Sequence, residues 1–142
     1  MAFKGSKIAL ANASNHVGIH LYKLLAQDRK NVFFSPFSIS TALAMLYCGA
    51  QKETAKEMRN VLGYEIANIK DDKLKSAFQK ILNGLENNPN SYTLASANSV
   101  LSDKEFSVKK EYKSVLEKSF NAFFQEVDFK NENEKAIHLV NE

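Results

Sequence analysis

The groups in this 142-residue chain that could do chemistry are a pair of serines, three histidines and one thiol. Ser35 and Ser38 flank Pro36, but a serine nucleophile needs an imidazole base held by a third group, and no G-x-S-x-G elbow surrounds either one. His138 can be combined on paper with some Ser and Asp, yet any chain with three histidines allows that. No catalytic residue is expected, and the chain is read as not an enzyme. His16 and His20 lie one helical turn apart and could share an ion. Two ligands with no nearby Cys, Asp or Glu make a weak site, so no metal is expected. With one cysteine, Cys48, no internal disulfide can form. Its apolar surroundings lack the exposure and cationic neighbour of a reactive thiol, so it reads as a small buried hydrophobe. Five glycines supply no phosphate loop, and neither H-E-x-x-H nor C-x-x-C occurs, so no cofactor is expected.

The serines belong to the best-patterned stretch, Asn31 to Met58. Asn31 to Phe34 is a short β-branched and aromatic run that predicts a strand. Ser35 then suits a helix N-cap, and Pro36 the first helical position, where no N–H is needed. From Ile39 to Ala50 the helix is apolar on nearly every side, which demands burial all round. Gly49 is read as its stop, Thr54 with Glu57 as a capping box opening the next helix, and Gly63 as that helix's end.

Other elements follow from periodicity. Residues 7–27 carry Leu10, Ala13, Val17, Leu21 and Leu24 on one helical face, with a formal glycosylation sequon at Asn12. Asp72 to Asn87 predicts an amphipathic helix with Leu74, Phe78, Ile81, Leu82 and Leu85 as its stripe, and Asp71 and Asp72 suiting the positive end of its dipole. Lys70, Lys73, Lys75 and Lys80 decorate its other side. Asn87 to Asn90 reads as a turn and Tyr92 to Leu101 as a strand. A helix carrying Phe106 to Phe120 follows, with Ser107 as N-cap and Lys109, Lys110, Lys113 and Lys118 outward. Phe123 to Phe129 alternates as a strand, with Phe123, Val127 and Phe129 on one side. Ala136, Ile137 and Val140 begin a further helix.

The run Asn31, Ser35, Pro36, Ser38, Ala42, Leu43, Met45, Gly49, Ala50 and Thr54 resembles the N-terminal signature of the serpins, the serine-protease inhibitor superfamily. The resemblance covers nearly all of the chain but only about the first third of a serpin. It implies an α+β, helix-rich fold of several helices with short strands from a central sheet. Residues 1–142 would then be the N-terminal part of a single serpin domain, truncated, with the reactive loop and C-terminal sheets absent. The parent would trap a serine or cysteine protease: the enzyme cleaves the loop, which inserts as a new strand and drags the acylated protease with it. The residues resembling Asn31, Ser35, Pro36 and Ser38 would be gating residues beneath the point where the sheet opens. In some serpins the helix matching Asp72 to Asn87 binds a glycosaminoglycan, which invites a weak polyanion contact at Lys70, Lys73 and Lys80. Two aspartates among those lysines, and no arginine beside them, favour an ordinary solvated face. Where the family often has Gly, this chain has Lys52.

Composition is that of a globular chain: 44% hydrophobic, 25% charged and a net charge of +3 from interspersed residues. No nucleic-acid motif and no apolar run of membrane-spanning length are present, so neither partner is expected. The resemblance implies an extracellular protein; the N-terminus makes a poor signal peptide, which leaves a cytoplasmic alternative. Two functions from different classes stay open. One is the N-terminal portion of a protease inhibitor, inactive alone, or of a carrier or chaperone serpin. The other is a stand-alone helical interaction module whose lysine faces bind an acidic partner.

Overall fold

The computed structural model describes residues 2–28, 31–86, 97–132, 134 and 136–138. The elements are α1 (Ala2–Leu25) with a 3-10 turn (Ala26–Asp28), α2 (Pro36–Tyr47), α3 (Lys52–Val61), α4 (Asp71–Glu86), β1 (Asn98–Asp103), α5 (Lys110–Phe120) and β2 (Ala122–Val127). The fold is α+β and helix-rich, as the sequence reading has it. The chain clusters into two compact units, residues 1–81 and 82–142. The turn at Asn87 to Asn90, the start of the strand at Tyr92 and Val140 lie outside the described residues.

In the first unit α1 lies against α2. Leu10, Ala13 and Val17 of α1 are buried, as are Ala44, Met45 and Tyr47 of α2 and Leu74, Ala77 and Phe78 of α4. Burying the larger of these, Leu10, Val17, Met45, Leu74 and Phe78, contributes about 1.5–3 kcal/mol each. The predicted α1 stripe holds only in its first half, because Leu24 is 64% exposed. All-round burial of α2 is likewise not met in this chain: Ala42 and Leu46 are exposed.

Three local expectations are corrected. Asn31 to Phe34 is not a strand and pairs with none among the described residues. A β run without a partner for its N–H and C=O groups gains no ladder. Thr54 is not an N-cap: α3 opens at Lys52, after Gln51, whose carbonyl accepts from the Ala55 N–H at 3.3 Å. Thr54 therefore lies inside the first turn, and its capping box is a coincidence of spacing. Gly49 is not the left-handed stop of α2, which closes on Cys48 in a right-handed conformation.

The left-handed residue in that connection is Lys52, with φ of 52°. An L side chain there costs roughly 1–2 kcal/mol that glycine avoids. Lys52→Gly is expected to raise the urea midpoint of unfolding by an amount equivalent to about 1 kcal/mol, despite removing a surface charge. Gly63 meets expectation. Its φ is 72°, and after Val61 the Gly63 N–H bonds the Asn60 carbonyl at 3.0 Å while the Tyr64 N–H bonds that of Arg59 at 3.1 Å. That pair of bonds is a Schellman closure.

In the second unit, β1 and β2 pair in parallel from Asn98↔Ala122 to Asp103↔Val127. Parallel strands need a crossover, and α5 supplies it. Leu116 and Phe120 of α5 are fully buried, and the Asn98 side-chain amide donates to the Phe120 carbonyl at 2.8 Å. Asn121, at φ 49°, ends the helix in the left-handed region. Ser107 is not the cap of α5. The helix begins at Lys110, and Lys109 caps it without a side-chain bond. Of the predicted β2 face, Val127 is buried, while Phe123 and Phe129 are exposed.

Beyond β2, Asp128 organises a turn. Its carboxylate accepts from the Lys130 N–H at 3.1 Å and from the backbone and side-chain N–H groups of Asn131 at 2.8 and 2.9 Å, and Lys104 Nζ is 3.1 Å away. The Asn131 side-chain and backbone bonds, then Lys104, hold its pKa down to about 2. A carboxylate depressed in the folded state contributes stability above its unfolded pKa and loses it as pH falls through the folded one. The Asn131 amide is therefore expected to keep its hydrogen-exchange protection at neutral pH and to lose it as pH falls from about 4 towards 2.

Candidate functional site

The start of α2 is built as its residues dictate. Ser35 is extended, at φ −104° and ψ 106°, and its Oγ accepts from the Ser38 N–H at 3.2 Å. Ser38 Oγ donates to the same oxygen at 2.9 Å, so the two hydroxyls form a closed pair over the first turn. Pro36 takes the first helical position, where its ring packs on Gly18 of α1. Thr41 Oγ1 donates back to the Phe37 carbonyl at 2.8 Å. Ser35→Ala is expected to destabilise the chain by about 1 kcal/mol in a thermal melt. Ser38→Ala, which leaves the cap intact, should cost well under half of that.

The structure thus brings together three of the four predicted gating residues, Ser35, Pro36 and Ser38. Asn31 is exposed, and the bonds of the two serines run to each other and not to it. Both hydroxyls are exposed in this chain too, so the pair here faces solvent rather than an apolar surround. Beside them, Phe34 and Pro36 share an open apolar concavity of about 440 Å³ with Asn15, Gly18, Ile19 and Tyr22 of α1. Next to it Phe33 is 103% exposed, which leaves a whole aromatic ring in water.

Among the lysines, Lys70 and Lys73 line one shallow cavity of about 230 Å³ with Gly5, Ser6, Ala9, Asn68 and Ile69, and Lys80 is not part of it. Lys73 Nζ is 3.3 Å from the Asp72 carboxylate, so part of that charge is already answered. Lys113 is also committed, to Glu126 at 2.6 Å and over the Phe124 ring. Cys48 is half-buried, and burial pushes its thiol up to about 11, against the pull of Lys75. At neutral pH that sulfur is a thiol, not a nucleophile. Among the described residues, no group of three or more His, Cys, Asp or Glu could hold a metal.

Sequence reasoning missed two features. The first is a polar hub in which Asp71 Oδ1 accepts from the Tyr47 hydroxyl at 2.8 Å and from Arg59 Nη1 at 2.6 Å, while Arg59 Nη2 donates to the Ile69 carbonyl at 2.6 Å. Burial is the main cause that raises the Tyr47 phenol. The second is a pair of buried hydroxyls, Ser40 and Tyr64, with no hydrogen-bond partner among the described residues. The one signal for Ser40 was a polar residue inside an apolar helix.

A model of the Serpin (serine protease inhibitor) family matches residues 12–142. Iripin-8 of Ixodes ricinus is 35% identical over 136 residues, covering 95% of this chain and 34% of the relative. Intracellular coagulation inhibitor 2 of Tachypleus tridentatus is 36% identical over 120 residues, covering 84% of this chain and 29% of the relative. Among solved structures, cleaved kallistatin complexed with heparin superposes with a TM-score of 0.85 at 23% identity, over 95% of this chain and 40% of that one. The chain spans about a third of the length of the curated relatives it matches.

Proposed function

The chain belongs to the serpin family, and on that premise we propose that it is the N-terminal part of a protease inhibitor that traps a serine or cysteine protease by loop insertion. The observation that carries this reading is the family match over residues 12–142, together with relatives named for inhibition of coagulation. In this reading Asn31, Ser35, Pro36 and Ser38 gate the opening of the sheet and do no covalent chemistry. The Ser35–Ser38 pair supports it, since two hydroxyls already joined at 2.9 Å can exchange a partner as a strand passes. A satisfied hydroxyl pair that lost its bonds on burial would cost about 1–3 kcal/mol, enough to bias an open and a closed sheet.

The test is to express the longer protein that contains this chain and to incubate it with serine and cysteine proteases. An SDS-stable one-to-one complex is expected with at least one of them. Cleavage of the loop with no complex would reject the inhibitor in favour of a carrier or chaperone. Residues 1–142 alone are expected to inhibit nothing. A polyanion contact at Lys70, Lys73 and Lys80 belongs to the same reading; with Asp71 and Asp72 among them it should be electrostatic and lost at moderate salt. We take the longer protein to be extracellular, and its recovery from the cytosol on cell fractionation would favour the cytoplasmic alternative.

A further inference from the structure

His16 and His20 sit on the same face of α1, and the structure gives their pairing a geometry that sequence spacing could not. The ring centroids are 4.4 Å apart, with planes tilted by 52°. His20 Nδ1 lies 2.8 Å from the His16 carbonyl. A carbonyl can only accept, so Nδ1 carries the proton and the neutral ring keeps the Nε2 lone pair free. This is the arrangement by which protein-bound imidazoles are oriented for an ion: one nitrogen held by a backbone carbonyl, the other presented outward.

His16 is fixed differently. Its Cβ and Cδ2 press on Gly63, where an added Cβ would lie 3.3 and 3.2 Å from them. Its ring is thus wedged at the close of α3, and no hydrogen bond occupies its ring nitrogens among the described residues. Both imidazoles border one concavity of about 380 Å³, which Asn60 of α3 also lines. An ion bound at 2.0–2.1 Å by two imidazole nitrogens with a right-angle to tetrahedral bite sets those nitrogens about 3 Å apart and the ring centroids about 4.5–5 Å apart. The observed 4.4 Å lies just short of that range.

We propose that His16 and His20 form a two-imidazole chelate for a divalent transition-metal ion, open to solvent at its remaining positions. With imidazole donors, Cu²⁺ is expected to bind more tightly than Ni²⁺ or Zn²⁺. Neither Ser35 nor Ser38 lines that concavity.

The test is a calorimetric titration of the untagged 142-residue chain with CuCl₂ and with ZnCl₂ at neutral pH, alongside Cu²⁺ electron paramagnetic resonance. One equivalent of Cu²⁺ is expected, with nitrogen couplings from two imidazoles. His20→Gln, at an exposed position, should weaken it at least tenfold with the circular dichroism unchanged. His138→Gln, which alters the one remaining histidine, should leave binding as it was. Absence of stoichiometric Cu²⁺ binding, or binding that survives His20→Gln unchanged, would overturn the proposal. So would a single-nitrogen signature. Should His16→Gln disturb packing at Gly63, the His20 variant and the resonance spectrum still decide the matter.

Discussion

Gly18→Ala is expected to destabilise the chain by about 2 kcal/mol, although the same change elsewhere in α1 should help it. Two effects of known sign compete. Alanine in a helix interior gains about 1 kcal/mol over glycine. At Gly18, however, the new Cβ would stand 2.8 Å from Pro36 Cβ and 2.9 Å from Pro36 Cγ. A proline ring cannot rotate away, so α1 or α2 has to shift, and overpacking of that kind costs about 1–3 kcal/mol. Gly5→Ala is the internal control. Nothing lies within 4 Å of a Cβ placed there, so only the propensity gain remains. Urea midpoints should therefore move in opposite directions for the two substitutions. A pair of stabilised variants would mean that α1 does not cross α2 at Pro36. Combining Gly18→Ala with Pro36→Gly should recover part of the loss, giving a coupling energy of about 1 kcal/mol or more in a double-mutant cycle.

That contact also shows which parts of the fold were legible in the sequence. Ser35 with Pro36, the Leu74 to Leu82 stripe and the Gly63 closure rest on signals carried by residues within a turn of one another. Each is readable because the physics is local. The approach of Gly18 to Pro36 spans two helices and leaves no trace in either. Lys52 illustrates a different limit. A left-handed residue is announced by glycine or asparagine, and lysine announces nothing, so the spacing of Thr54 and Glu57 suggests a capping box in its place. The strand expected at Asn31 to Phe34 has suitable residues, but the described chain offers it no neighbour. For the candidate site, the serine pair was legible and its solvent exposure was not, since exposure depends on what else packs there.

The hub around Arg59 is non-local as well, and disrupting it gives the other large expected effect. Arg59→Lys should destabilise the chain by about 2 kcal/mol, more than Asp71→Asn at about 0.5–1 kcal/mol, even though both touch the same ion pair. The order follows from burial. The Asp71 side chain is 68% exposed, so its attraction to Arg59 is screened by water and worth little. The amide introduced by Asp71→Asn would also keep an oxygen to accept from Tyr47. The Ile69 carbonyl, by contrast, belongs to a residue only 4% exposed, and it receives Arg59 Nη2 at 2.6 Å. Lysine carries one nitrogen and cannot serve Asp71 and Ile69 together in the forked geometry of a guanidinium. One of the two acceptors is then left short, and the buried one is the costlier to abandon. If the screened ion pair carried the energy instead, raising NaCl from about 0.1 to 1 M would erase the difference between wild type and Arg59→Lys. The hydrogen bond to Ile69 predicts that the difference persists in high salt, because a buried carbonyl gains nothing from added ions.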